Sequence, residues 1–263
     1  IILHGLFLKS LIVTLFLNPW VLKKCYWVMW GGDFYFPNKQ RWLKKQVIRN
    51  IGHFVTYLKG DFELVKKWYK VKGTYHKSFM YPSNLYKDFQ IKTKENSGVI
   101  NIQVGNSADS TNNHVEIFEK LRKYKNDNIK IYAPLSYSNK DDVKEIIYMG
   151  KEIFGDKFIA LTCFMSSEKY LEFLSDIDIA IFAHKRQQAM GNIIKLIGLG
   201  KKVYIRREIT TWKFFNEINV SVFDFDSLNL EKISNDTTAS NKEKIKSYFS
   251  QNNYLIQLNN LFN

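Results

Sequence analysis

Val99-Ile100-Asn101-Ile102-Gln103-Val104-Gly105-Asn106-Ser107-Ala108-Asp109-Ser110-Thr111-Asn112-Asn113-His114 decides the fold. Its first six residues are β-branched at alternate positions and run into a glycine, which reads as a strand that ends in a turn. In the turn from Gly105 to His114, eight of the ten residues are small or carry an amide or hydroxyl. Backbone there can approach a ligand closely, with N–H and side-chain donors pointing at it, and a helix follows. The same text is compatible with an ordinary loop closed by an Asn112 N-cap, because the glycine spacing of dinucleotide and P-loop motifs is missing.

Outward from this segment the pattern repeats. Strand-like runs are expected at Ile129 to Ala133, Phe158 to Thr162, Ile177 to Phe182, Lys202 to Ile205 and Val220 to Phe223. Between them lie helical patterns: Val143, Ile146, Ile147 and Ile153 share one face of Asp141 to Phe154, with Ser138 and Asp141 in capping-box spacing. Ser166 precedes a second helix, Glu168 to Leu174. Strand and helix in alternation give an α/β domain with a parallel sheet. A less complete α/β portion precedes it, with strands at Ile1 to Leu3, Cys25 to Trp30 and His53 to Tyr57, and helices at Leu6 to Leu17, Gln40 to Asn50 and Asp61 to Trp68. The polar, aperiodic stretch Pro82 to Gly98 separates the two, which places domains at 1–88 and 97–240 and leaves 241–263 as a C-terminal helix. Because the chain opens on Ile1, inside a strand-like run, the first domain is expected to be incomplete at its start.

Parallel sheets bind ligands beyond the carboxyl ends of their strands, so the turns are where chemistry is expected. In His184-Lys185-Arg186-Gln187-Gln188-Ala189-Met190-Gly191-Asn192, two cations and a cluster of amides stand where a strand ends and a helix begins. That arrangement offsets phosphate charge by direct pairing and by the helix dipole. In Trp30-Gly31-Gly32-Asp33, Asp33 places a carboxylate at a strand end. It is a candidate to deprotonate or orient an acceptor hydroxyl, or it serves only the shape of the turn. His4, at the end of the first strand, is the second catalytic candidate, against the commoner structural role of a lone histidine.

The 39 Lys and Arg exceed the 25 Asp and Glu, for a net charge of +14. Such a chain is drawn to phosphates, nucleic acid or anionic lipid. Basic and aromatic residues interleave from Lys66 to Tyr81, which suits a nucleic-acid platform or a surface resting on headgroups. No recognised nucleic-acid module surrounds them, so no nucleic-acid partner is expected. The five His are scattered, and Asp224 to Asp226 reads as the end of a strand and the start of a turn, so no metal is expected. Cys25 and Cys163, each in an apolar run, are expected as buried free thiols. The apolar run Leu6 to Leu17 falls short of the ~20 residues that cross a bilayer.

Four segments, Ile2-Leu3-His4-Gly5-Leu6, Cys25 to Asp33, Val104 to Asp109 with Asn112-Asn113-His114, and Arg186 to Gly191, together resemble the TDP-N-acetylfucosamine:lipid II N-acetylfucosaminyltransferases of enterobacterial common antigen assembly. They occur in that family's order. The resemblance implies a GT-B fold, two Rossmann-like domains facing a cleft, with nucleotide-sugar on the second and acceptor on the first. It implies a metal-independent glycosyltransferase without a cofactor, taking a nucleotide-diphosphate sugar as donor and a polyprenyl-diphosphate-linked saccharide as acceptor. The expected place is the cytoplasmic face of the bacterial inner membrane, as a peripheral protein on an anionic surface. Gly105, Asn106, Ser107, Asn112, Asn113, His114, Arg186, Gln187, Gln188, Gly191 and Asn192 are then the expected donor-binding residues, with Asp33 and His4 catalytic. A basic nucleic-acid-binding protein and a non-catalytic membrane scaffold are the alternative readings.

Overall fold

The computed structural model describes residues 1–87, 98–136 and 140–262. The cap expected at Ser138 and most of the expected linker, 88–97, lie outside the described residues. Two compact units emerge. One combines Ile1–Leu85, Arg186–Gln188 and Phe249–Asn263; the other combines Tyr86–Lys185 and Ala189–Tyr248.

The first unit opens with β1 (Ile2–His4), α1 (Lys9–Leu17), α2 (Pro19–Leu22), β2 (Tyr26–Val28), α3 (Trp42–Asn50), β3 (His53–Val55), α4 (Lys59–Tyr69) and β4 (Thr74–His76). Its four strands form a parallel sheet in chain order. Alternation sorts the side chains: Trp27 and Phe54 point into a core with Leu6, Leu15, Leu22, Val47 and Phe62, while Val28 and Val55 pack with Leu261. The apolar run expected as one helix from Leu6 is divided. Leu6 itself is buried in the core, α1 starts three residues later, and Asn18 lies between α1 and α2, whose first residue is Pro19.

Sequence pattern did not predict β4, and its discovery corrects the reading of Lys66 to Tyr81 as a basic aromatic surface. Tyr69 is buried in this core and Trp68 and Tyr75 pack against it, so α4 and β4 turn these rings inward, and Phe79 is buried beside Tyr57, Phe249 and Tyr254, while Lys66, Lys67, Lys70 and Lys72 face water. Tyr69 Oη donates to the Phe34 carbonyl at 2.5 Å, which satisfies its one polar atom inside.

The second unit contains β5 (Ile100–Val104), α5 (His114–Leu121), β6 (Ile129–Pro134), α6 (Lys140–Phe154), β7 (Phe158–Leu161), α7 (Ser167–Asp176), β8 (Ile179–Phe182), α8 (Met190–Gly198), β9 (Lys202–Ile205), α9 (Thr210–Glu217), β10 (Phe223–Asp224) and α10 (Asn235–Tyr248). Its parallel strands run β10-β9-β8-β5-β6-β7. Ile102, Val104, Ile131, Phe158, Ile179 and Ile181 are among the sheet residues of a core closed by Ile117, Phe118 and Phe154 of the helices. Helix starts follow local chemistry: Ser166 Oγ accepts from Lys169 N–H at 3.3 Å to cap α7, and Asp141 and Asp142 in the first turn of α6 suit its dipole. The last helix, α11 (Gln251–Phe262), belongs to the first unit, where Gln257 Oε1 accepts from Phe79 N–H at 3.1 Å. The tail read as one helix is thus two, assigned to different units.

Cys25 is buried as expected, but Cys163 is exposed, because β7 stops at Leu161 and the chain has already left the sheet. No helix is long and apolar enough to cross a membrane among the described residues.

Candidate functional site

In the second sheet the chain winds outward one way from β5 through β6 and β7, and the other way through β8, β9 and β10. The neighbours β5 and β8 therefore flank a topological switch point, where the helices that follow their strands diverge and leave a crevice at the carboxyl ends. Both turns singled out for phosphate chemistry follow these two strands.

Asn112 joins them. Its Oδ1 accepts from the backbone N–H of Asn106 at 2.9 Å and lies 3.0 Å from His184 Nε2, while its Nδ2 donates to Ser107 Oγ and the Asp109 carbonyl, each at 3.0 Å. A carbonyl oxygen cannot donate, so His184 holds a proton on Nε2. Asn113, at a φ of 52°, donates from Nδ2 to the Ala183 carbonyl at 2.7 Å. Gly105 takes a φ of +63°, and a Cβ there would stand 2.8 Å from Asn112 Oδ1 and 2.8 Å from His114 Nε2, so only glycine lets these side chains close over the turn. A further cation supports the β8 side: buried Arg206 donates from Nε to the Ala183 carbonyl at 3.0 Å and pairs with Glu116 in the first turn of α5.

His114 is 4% exposed, and burial lowers its pKa to about 4, with the Val104 carbonyl as a partially offsetting hydrogen-bond acceptor. It is a neutral imidazole at pH 7. Among the described residues, its Nε2 and the Oδ1 of Asn106 are buried without a hydrogen-bond partner, so the turn retains two acceptors suited to hydroxyl or N–H donors. Gly191 and Asn192 lie in the first turn of α8, which Ala189 enters in the left-handed region at φ 58°. For an alanine this costs about 1–2 kcal/mol, and such strain concentrates at functional positions.

In the first unit, Asp33 is 0% exposed. Oδ2 accepts from Trp27 Nε1 at 2.8 Å and from Leu6 N–H at 3.1 Å; Oδ1 accepts from Trp30 N–H at 3.1 Å. Burial still raises its pKa, outweighing those three donors. Enclosed this way, the carboxylate ties the turns after β1 and β2 together. His4 is exposed at the end of β1, with Nδ1 3.4 Å from Tyr81 Oη. Arg186 and Gln187, members of this unit, lie against Gly32 and Gly31. Arg186 Nη1 donates to the Gln187 carbonyl at 3.0 Å.

The structure thus brings Gly105, Asn106, Ser107, Asn112, Asn113 and His114 into one turn beside the start of the β8 turn, and gathers His4, Asp33, Arg186, Gln187 and Gln188 in the first unit. Sequence reasoning did not identify Arg206 or the role of His184. Both lie just beyond strand ends, which was the available signal. Among the described residues no three His, Cys, Asp or Glu side chains come together to hold a metal ion.

Solved structures share this architecture. The N-terminal domain of Candida albicans trehalose-6-phosphate phosphatase aligns at TM-score 0.66 and 9% identity, over 99% of this chain and 69% of that one. Sucrose-phosphate synthase from Thermosynechococcus elongatus aligns at TM-score 0.63 and 11% identity, over 94% and 71%. S. aureus TarM, as a variant in complex with fondaparinux, alpha-GlcNAc-glycerol and UDP, aligns at TM-score 0.59 and 15% identity, over 91% of this chain and 50% of its own. At such identities the likeness speaks for the fold alone, an α/β fold of GT-B type with parallel sheets. Sequence goes further, since the family model of 4-alpha-L-fucosyltransferases, glycosyl transferase group 56, matches residues 1–262. The chain belongs to the 4-alpha-L-fucosyltransferase family of glycosyltransferases, group 56.

Proposed function

We propose that the protein transfers an N-acetylfucosamine-like deoxyamino sugar from a nucleoside diphosphate, TDP, to a polyprenyl-diphosphate-linked saccharide. The observation that carries this reading is the switch point between β5 and β8, where the hydrogen bond Asn112 accepts from His184 and the one Asn113 donates to the Ala183 carbonyl lock two ligand-type turns together. UDP in the TarM complex supports a nucleotide-sugar donor on this fold.

In glycosyl transfer the sugar carbon acquires oxocarbenium character while negative charge grows on the departing diphosphate. Groups that stabilise this charge lower the barrier most when they are already in place. Lys185 and the N-terminus of α8, with Gly191 and Asn192 in its first turn, serve that purpose in this proposal, with no metal required. The acceptors at Asn106 and His114 take hydroxyl or N–H groups of the nucleoside or sugar, because a neutral His114 offers a lone pair and no charge. His4 orients the acceptor, and Asp33 holds the turns that place it.

The place of action in this proposal is the cytoplasmic face of the inner membrane, with the protein bound peripherally. A net charge of +14 supports an anionic surface, as do Leu8, Val13, Leu17, Trp20 and Trp42, which α1, α2 and α3 and the loop before them leave exposed.

A thermal-shift screen with TDP, UDP and GDP tests the donor, since a ligand that binds only the folded state raises its melting temperature. TDP is expected to give the largest shift, and Lys185→Ala to weaken TDP binding about tenfold or more, the loss of one charge-assisted contact. A shift that is equal for all three nucleotides would remove the TDP assignment. No shift with any of them would remove the reading itself.

A further inference from the structure

Four rings gather beyond the carboxyl ends of strands in the first unit. His4 closes β1, Phe7 follows it, Trp30 follows β2 and Tyr81 follows β4. Trp30 and Tyr81 meet edge to face, with centroids 4.7 Å apart and planes at 61°. Phe7 meets Trp30 at 6.5 Å and 80°. His4 and Tyr81 lie 6.0 Å apart, with Nδ1 facing Oη. Gly5, at φ +80°, makes this crowding possible, because a Cβ there would fall 2.6 Å from the Phe7 ring and 3.1 Å from Trp30. Trp30 is therefore braced on its own unit, yet it remains 46% exposed.

A braced indole left in water is poised to cover something flat. The set supplies aromatic faces, a phenol and an imidazole, with the Arg186 guanidinium beside Gly32 at its Phe7 edge. It suits a pyranose: the axial C–H groups of the ring carry partial positive charge and meet the negative face of an indole, while the equatorial hydroxyls need hydrogen-bonding partners at the rim. His4 Nδ1 faces Tyr81, and its Nε2 makes no hydrogen bond within the described residues. The carboxyl end of a parallel sheet is also where such folds present ligands.

We propose that Trp30, braced by Tyr81 and Phe7, is the stacking platform for a sugar ring of the acceptor, with His4 and Tyr81 binding its hydroxyls. This rests on the glycosyltransferase reading above and adds the residues that recognise the acceptor.

Methyl pyranosides of N-acetylhexosamines, with glycerol as a polyol lacking a ring, probe the site in the full chain. Binding is read by tryptophan emission and by saturation transfer to sugar C–H protons. The pyranosides are expected to bind and glycerol not; Trp30→Ala weakens pyranoside binding about tenfold, and Trp30→Phe restores part of it. Nucleotide-induced thermal shifts stay as in the wild type in both variants, and in turnover assays the acceptor KM rises while the donor KM holds. Pyranoside affinity unchanged in Trp30→Ala, or equal binding of glycerol, overturns the platform and leaves the donor reading standing. A nucleotide shift lost with Trp30→Ala also overturns it, since the indole would then serve the nucleobase. If neither nucleotides nor pyranosides bind, the platform and the glycosyltransferase reading fail together.

Discussion

Asp33 and His114 differ in what sequence makes visible. A Gly-Gly-Asp turn at a strand end has the chemistry of a catalytic carboxylate, but its burial depends on Leu6 and Trp27, which donate to it from elsewhere in the chain. Asp33→Asn presents an amide N–H where a carboxylate oxygen accepted, so one buried donor faces another. A buried donor left without an acceptor costs about 1–3 kcal/mol. Urea titration is expected to show that loss of stability, and an unchanged midpoint would show that these hydrogen bonds do not hold the turns together. His114 was legible as a site residue from its place after the turn, while its protonation state was not, because burial and the Val104 carbonyl set it. Its pKa falls from 6.5 to about 4 on folding, so the unfolded chain binds the proton first as pH drops. The stability contributed by neutral His114 is fully present above pH 6.5 and is lost as pH falls through the folded value; the full window amounts to about 3 kcal/mol. Denaturation of wild type and His114→Phe across that window isolates this residue from Asp33, whose raised pKa acts in the opposite sense. The stability of wild type relative to His114→Phe should fall by about that amount toward acid, and parallel curves would show that His114 titrates normally in the fold.

Elements were legible where their own residues supply the signal. Ile100, Ile102 and Val104 alternate with polar residues and end at Gly105, and β5 is found there; Val143, Ile146 and Ile153 keep helical spacing, and α6 is found there. Thr74–His76 gave no such signal. The strand is three residues long, and its flanking lysines and rings read equally well as a surface, so only pairing with β3 defines it. Likewise, the tail pattern continues through Phe249 and Ser250, and nothing in its periodicity reveals that α10 and α11 pack in different units. The candidate site follows the same rule. Each turn was recognisable from its small and amide residues, but the bond from His184 to Asn112 spans 72 residues and depends on β5 and β8 being neighbours. Strand order is a property of the whole sheet, which local text does not encode.

Net charge is legible from composition, but its distribution requires the fold. From Ile1 to Gly60 the only acidic residue is Asp33, which is buried, so this part of the first unit exposes cations such as Lys9, Lys23, Lys24, Arg41 and Arg49 without a competing exposed carboxylate. The same segment leaves Leu17, Trp20 and Trp42 in water, and Phe16 meets Trp42 at 5.5 Å, joining α1 to α3. Cations beside exposed apolar groups reinforce each other at an anionic bilayer, each cation near the surface adding about 1 kcal/mol and each buried CH₂ about 0.8 kcal/mol. Cosedimentation with phosphatidylglycerol vesicles is therefore expected, weakening as salt screens the charges, with little binding to phosphatidylcholine alone. Replacing Leu17 and Trp20 together by Ser should reduce partitioning about tenfold or more, without lowering the melting temperature, because both side chains are already exposed. Tyr148→Ser alters an exposed ring in the second unit and should bind as wild type does. Equal loss in both variants would show that the contact is not specific to α1 and α2, and absence of binding by the wild type would overturn the membrane assignment.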